Sequence, residues 1–267
     1  MRFPGGGLLH VKRDERKRNV DIITGDQSVD TAVSTYSPGG HPYVMSVRPG
    51  TSDANTVLSC SGQHDEYSLP RELEGWLLDV GAHIGAASVP LLLDKPRARL
   101  VAVEALPENV ALLEENLRRN GVAERAVVVY AAAGDGADLE VGYSADPVHQ
   151  YIGSPAGSSS SRSVHVPGAT LGDLMRARGH DADEPFVWAK LDWEGCEYGV
   201  LASHQVASLL RIKGEVHRGW APLLELLEAT HDVSGPGQDF GPFTAVLRAH
   251  PLDEQLAELE RQAGAQL

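Results

Sequence analysis

Four short stretches concentrate the side chains able to do chemistry. Asp79-Val80-Gly81-Ala82-His83-Ile84-Gly85 sets a carboxylate two residues before one glycine and six before another. Glu104 follows Asp79 by 25 residues and closes an apolar run. Lys190-Leu191-Asp192-Trp193-Glu194-Gly195-Cys196-Glu197 carries three carboxylates within the six residues from Asp192. Glu215-Val216-His217 puts two titratable groups on one side of an extended chain, as Lys190 and Asp192 are if their strand continues.

The first stretch reads as a strand-to-helix turn. Gly81 lets the chain turn tightly and a ligand approach the backbone, Gly85 lets a helix lie close on a sheet, and the helix start offers free N–H groups to an anion. A dinucleotide site wants a glycine where Asp79 stands, and an acidic side chain there repels a pyrophosphate. Asp79 suits an ammonium instead, and the helix start suits a carboxylate. S-adenosyl-L-methionine carries both, and Glu104 is placed to accept hydrogen bonds from its two ribose hydroxyls. Methyl transfer from a sulfonium needs mainly an acceptor held in line. An alcohol acceptor must also lose its proton, a task for a carboxylate or a neutral imidazole. Asp192 is the first candidate for that role and His217 the second. Lys190 either neutralises Asp192 or takes part in the site, and Glu194 and Glu197 are read first as caps of the following helix. His149 and Tyr151 are candidates for lining an acceptor pocket, with a plain surface role as the alternative. Asp192, Glu215 and His217 are conceivable metal ligands, but no compact ligand motif supports a metal, and none is expected.

These residues need a scaffold that brings strand ends together. Apolar runs at 76–80, 100–103, 126–133, 186–191 and 212–216 read as strands, with helices at 84–93, 107–120, 171–178 and 222–229. Residues 243–248 read as a late strand paired with 231–234, and 252–262 as a closing helix. Between them, 139–143 and 164–166 are expected to pair, and the Ser- and Gly-rich tract 153–163 to be a mobile surface loop. Residues 20–70 read as a strand-rich lead-in, with extended pieces at 20–24, 43–48 and 56–59. Alternating strands and helices imply an α/β doubly wound, mostly parallel sheet that binds ligands beyond the carboxyl ends of its strands. The expected division is 1–70 as an N-terminal extension or cap and 71–267 as the main domain.

The chain has 267 residues, 42% of them apolar, and a net charge of −14. That composition excludes disorder, collagen and coiled coil. No apolar run approaches the roughly 18 residues of a membrane span. The acidic balance argues against a nucleic-acid partner. The first twenty residues carry a local +4, read as a solvated end. Two cysteines, Cys60 and Cys196, provide neither a disulfide framework nor a CxxC pair, and the N-terminus lacks the apolar core of a secretory signal, so a cytoplasmic protein is expected. The lead-in is a possible homodimer contact.

Residues 77–85, the stretch Val103-Glu104-Ala105-Leu106-Pro107-Glu108-Asn109 and the block 190–197 together resemble the FkbM family of S-adenosylmethionine-dependent methyltransferases, and Glu215-Val216-His217 is similar to the end of that family's next strand. The resemblance spans about residues 76–217. It implies a class I methyltransferase (Rossmann-like) fold and O-methylation of hydroxyls on small-molecule natural products or sugars, with N-methylation of a small molecule or peptide as the alternative. By that resemblance Asp79, Gly81, His83, Gly85, Glu104 and Ala105 hold the cofactor, Asp192 sits at the reaction centre, and Trp193 and Glu194 lie beside the acceptor. His83 replaces a usual asparagine, Ala105 a frequent proline, and Trp193 a usual small aliphatic residue.

Overall fold

The computed structural model describes residues 21–23, 31–61, 69, 72–144, 153–155, 160–193, 197–217, 219–237 and 240–248. The chain opens with an antiparallel sheet of β1 (Asp21–Ile23), β2 (Thr31–Tyr36) and β3 (Pro42–Val47), followed by α1 (Asp53–Ser59). The extended reading of 56–59 is therefore wrong. β-branched Thr56 and Val57 suggested a strand, but Val57 is buried and the Thr56 amide closes a helical turn on the Ser52 carbonyl, so tertiary packing overrides a weak local preference.

The central unit begins with β4 (Gly75–Val80), α2 (Ser88–Asp94), β5 (Ala98–Glu104), α3 (Pro107–Arg119) and β6 (Ala126–Tyr130). Trp76, Leu77, Leu78 and Val80 are buried, as are Leu100, Val101 and Val103; near-continuous apolar runs mark strands covered on both faces. α3 matches its sequence reading to one residue. Pro107 fits the first turn, Leu113 and Leu117 face the core, and Gly121 at φ 70° lies just past its end. α2 starts four residues later than its apolar pattern suggested, because residues 81–87 form the turn itself; Pro90 then falls in the first turn, where its missing N–H costs nothing.

The expected strand 126–133 divides at Ala131. The chain leaves β5 there, and β7 (Ala132–Gly134) pairs with β11 (Gly168–Thr170) instead. The intervening β8 (Leu139–Ser144), β9 (Gly153–Pro155) and β10 (Ser160–Val166) form an antiparallel sheet in the order β10-β8-β9. Residues 153–155 and 160–163 are thus strand rather than the expected mobile loop, paired to β8 through backbone ladders. After α4 (Leu171–Arg176) come β12 (Phe186–Leu191), α5 (Glu197–Leu201), β13 (Arg211–Val216), α6 (Trp220–Leu227), β14 (His231–Ser234) and β15 (Gly241–Leu247). The expected pairing of the last two strands is present and antiparallel. The helix expected at 252–262 lies outside the described residues.

The seven-stranded sheet runs β14-β15-β13-β12-β4-β5-β6, parallel apart from β15. Its order reverses at β4 and β12, so the crevice beyond their carboxyl ends is the position for a ligand. Among the described residues, no helix is long and apolar enough to cross a membrane. One apolar cluster joins Val33, Met45 and Val57 of the N-terminal segment to Leu77, Leu100 and Leu113 of the central unit. Buried Asn116 on α3 ties the same parts together: its Oδ1 accepts the Ser46 amide at 2.7 Å, and its Nδ2 donates to the carbonyls of Ser46 at 3.2 Å and Ile84 at 2.9 Å. Asn116→Ala strands those backbone groups and is expected to cost about 3 kcal/mol. Urea unfolding should show a lower midpoint at an unchanged slope.

Candidate active site

Strand register assembles the site. Lys190 on β12 lies opposite Asp79 on β4 and Lys213 on β13, so three charged residues stand side by side just below the rim of the sheet. The Lys190 ammonium, only 8% exposed, is 3.2 Å from Asp79 Oδ1 and 3.8 Å from Asp192 Oδ2, and it donates to the Gly81 carbonyl at 3.1 Å. Lys190 is therefore closer to Asp79 than to Asp192, the partner expected from sequence. Asp79 is fully buried and also accepts the Ser88 hydroxyl at 2.6 Å. The ammonium beside Asp79 in this structure is thus a protein side chain.

Gly81 has φ 77°, and a Cβ there would overlap the Asp192 carbonyl oxygen. The Asp192 amide in turn donates to the Val80 carbonyl at 3.3 Å. The first turn and the end of β12 are therefore in direct backbone contact. Gly85, φ 88°, faces Leu113 on α3, as close helix packing requires. The expectation of free amides in this turn needs correction. Gly81 and Ala82 both donate to the Val103 carbonyl at 3.0 Å, and the His83 amide donates to Glu104 Oε2 at 2.8 Å.

Glu104, at the end of β5, is buried and accepts three hydrogen bonds. Besides the His83 amide, its Oε1 takes the Leu106 amide at 2.9 Å and Asn109 Nδ2 at 3.1 Å. Burial pushes its carboxyl pKa up, while these donors pull the other way. A carboxylate held this firmly, with lone pairs to spare, suits a ribose diol. Ala105 beside it is buried in the core.

The sequence reading missed the network behind Glu104. Asn109 Oδ1 accepts Arg48 Nη2 at 2.7 Å, Arg48 Nε pairs with Asp53 at 2.8 Å, and Asp53 Oδ1 lies 3.4 Å from His83 Nε2. The N-terminal segment is thereby wired to Glu104. Asn109 was in view as part of a motif, but no spacing rule links it to Arg48, 61 residues away. His83 adopts φ 53°, with its ring Nε2 3.4 Å from Asp53.

On the other side of Lys190 opens a cavity of about 500 Å³, lined among others by Asp192, Lys213, Glu215, Phe243 and Thr244. His217 stands at its edge with 10% of its side chain exposed. Its Nδ1 is 2.7 Å from Glu197 Oε1, and its Nε2 is 3.9 Å from Asp192 Oδ1 and 3.8 Å from Glu215 Oε2. Glu197 is fully buried and does accept a helix-leading amide, that of Trp193 at 2.9 Å, but the same oxygen also orients His217, which a capping role alone does not include. Trp193, expected beside the acceptor, is packed in the hydrophobic core, its large apolar ring buried with the neighbouring strands. His149, Tyr151 and Glu194 lie outside the described residues.

The strand order, the single antiparallel strand and the carboxylates at the switch point define a class I methyltransferase fold. A model of the methyltransferase FkbM domain matches residues 79–250, and the chain belongs to that family of S-adenosylmethionine-dependent methyltransferases, as its motifs led us to expect. No curated protein matches it in sequence. Among solved structures it is similar to a precorrin-6y C5,15-methyltransferase from Geobacter metallireducens, with 14% identity, TM-score 0.40, and coverage of 74% of this chain and 90% of that one. An O-methyltransferase from Bacillus cereus in complex with SAH gives 14% identity, TM-score 0.39, and coverage of 75% and 82%. An RNA methyltransferase from Salinibacter ruber gives 14% identity, TM-score 0.34, and coverage of 66% and 83%.

Burial lowers the His83 pKa to about 4, with Arg48 and Lys190 adding to the effect and Asp53 opposing it. Below about pH 6.5 the unfolded chain takes up a proton that folded His83 refuses until about pH 4, so stability falls as the pH drops through that window. Thermal denaturation should show Tm decreasing by on the order of 5 °C across it. The decrease should be smaller in His83→Asn; an equal decrease would rule out His83 as its source.

Proposed function

We propose that this chain transfers the methyl group of S-adenosylmethionine to a hydroxyl of a polar small molecule bound in the cavity between β12, β13 and β15. The observation that carries this reading is the Glu197–His217 pair, whose Nε2 faces Asp192 and Glu215 beside the cofactor turn. At the switch point Glu104 fits the cofactor, its carboxylate held by three donors with lone pairs left for the ribose hydroxyls. When bound, S-adenosylmethionine supplies an electrophilic methyl group on a sulfonium.

The chain's own residues do the rest. Gly81 and Asp192, in backbone contact, hold the cofactor side and the acceptor side at fixed separation, which serves in-line alignment. Glu197 accepts from His217 Nδ1–H, leaving Nε2 as the basic nitrogen turned to the acceptor. As the acceptor oxygen forms its bond to carbon, its proton passes to Nε2 or to the Asp192 carboxylate. An amine acceptor that arrives unprotonated has no need of this buried carboxylate–imidazole pair, so the pair favours an alcohol over N-methylation. The acidic surface supports a small acceptor rather than nucleic acid. Cysteine usage supports a cytoplasmic setting, and a natural-product or sugar hydroxyl fits the mixture of lysines and carboxylates lining the cavity.

The test combines isotope-labelled S-adenosylmethionine with a metabolite extract and mass spectrometry for products gaining one methyl group. With the product identified, Asp192→Asn should keep S-adenosylhomocysteine affinity within about threefold and lose turnover by about 10²-fold or more, as removal of an acid–base group does. Unchanged turnover would remove Asp192 from the mechanism.

A further inference from the structure

Asp192, Glu215 and His217 each direct one ligand atom to a common point, and these atoms all lie within 4.8 Å of one another. We propose that they form a divalent-cation site that binds the acceptor hydroxyl. Ligands at right angles on a metal at ~2.1 Å are about 3.0 Å apart, so Asp192 and Glu215, 3.9 and 3.8 Å from His217 Nε2, need to close on it by just under an ångström. Asp192 and Glu215, 43% and 38% exposed, have the room to do so.

Two further features support an ion at this point. The first is the partner on the far side of the imidazole. A metal-bound histidine characteristically passes its other N–H to a carboxylate, which fixes the ring and raises its basicity. Fully buried Glu197 does this at 2.7 Å from His217 Nδ1 and leaves Nε2 facing the two exposed carboxylates. The second is access: Asp192 and Glu215, 43% and 38% exposed, both line the cavity, so an ion can reach them from solvent. One imidazole with two carboxylates suits Mn²⁺, which accepts both ligand types and keeps open positions for exogenous oxygen.

The position also makes sense of the cavity, which begins at Asp192 and Glu215. A hydroxyl entering it would meet the cation, become more acidic and pass its proton to the Asp192 oxygen not bound to the ion, one of the two acceptors already named. Only this use of the ion rests on the hydroxyl-acceptor reading; binding of the ion does not.

The experiment titrates Mn²⁺ into EDTA-treated full-length protein without acceptor and follows the free-ion signal by electron paramagnetic resonance. We expect about one Mn²⁺ bound per chain. Glu215→Gln and His217→Gln should each weaken binding at least tenfold, and Glu197→Gln by about tenfold through the ring. Asp232→Asn, an exposed side chain paired with Arg248 and not among those lining the cavity, should change nothing. S-adenosylhomocysteine binding reports that each variant is folded. Absence of Mn²⁺ uptake at millimolar concentration, or uptake indifferent to Glu215 and His217, overturns the site. Methyl transfer that persists in EDTA without Mn²⁺ uptake also overturns it and leaves the transferase reading standing. Uptake with no methylated hydroxyl product supports the cation and counts against the acceptor reading.

Discussion

The ammonium of Lys190 is the interaction on which the rest of the site depends. Asp79 is a fully buried carboxylate at the end of the central strand, and a buried charge without a partner costs several kcal/mol. Lys190 supplies the partner from the neighbouring strand and at the same time reaches Asp192 and the Gly81 carbonyl. One cation therefore binds the start of the cofactor turn to the carboxylate of the acceptor side. The missing Cβ of Gly81 completes the constraint, since the two backbones touch there. Cofactor turn and Asp192 cannot shift independently, and an in-line transfer tolerates little displacement between its two ends.

A second tether comes from outside the parallel sheet. The chain Glu104–Asn109–Arg48–Asp53–His83 closes a loop: Glu104 accepts the His83 amide, and the His83 ring returns to Asp53. Arg48 and Asp53 belong to the N-terminal segment, whose apolar residues share a cluster with the central strands. That segment therefore braces Glu104 in addition to packing against α3. Asn116 makes the same connection further from the site, linking β3 to the turn through the Ile84 carbonyl.

Much of this was legible in the sequence because it is local. Apolar runs ending in Asp79, Glu104 and Asp192 announce strands whose carboxyl ends carry charge, and Pro107 with Gly121 brackets α3 unaided. What sequence could not disclose is long-range or depends on burial. Lys190 chooses Asp79 over Asp192 because register sets it opposite Asp79 on the adjacent strand, a pairing 111 positions apart. Glu197 looked like a helix cap and is one in part, yet its second partner, His217, arrives from another strand. Trp193 reads as a bulky neighbour for a substrate; it packs into the core instead, a burial that its position next to Asp192 does not disclose. The helix at 53–59 was misread because β-branched residues there are packed rather than paired.

The two halves of the site differ in how they are built. The cofactor half consists of parallel strands, buried backbone contacts and glycines with positive φ, so its shape is set by the fold itself. The acceptor half is bounded by β13 and by the antiparallel pair β14–β15, through Ser234, Gly235, Pro236 and Pro242 at the cavity wall. Gly235 is confined by the Trp220 ring, and Pro242 withholds an amide from the ladder, so the wall is stiff and its polarity comes from a few side chains. Lys213, Glu215 and Thr244 supply that polarity from alternate positions on adjacent strands. Changing them alters what the cavity accepts without touching Gly81, Glu104 or Lys190. On the proposed reading, a common transfer chemistry can be kept while the acceptor varies, because Gly81 and Glu104 lie outside the cavity lining and Lys190 and Asp192 belong to it.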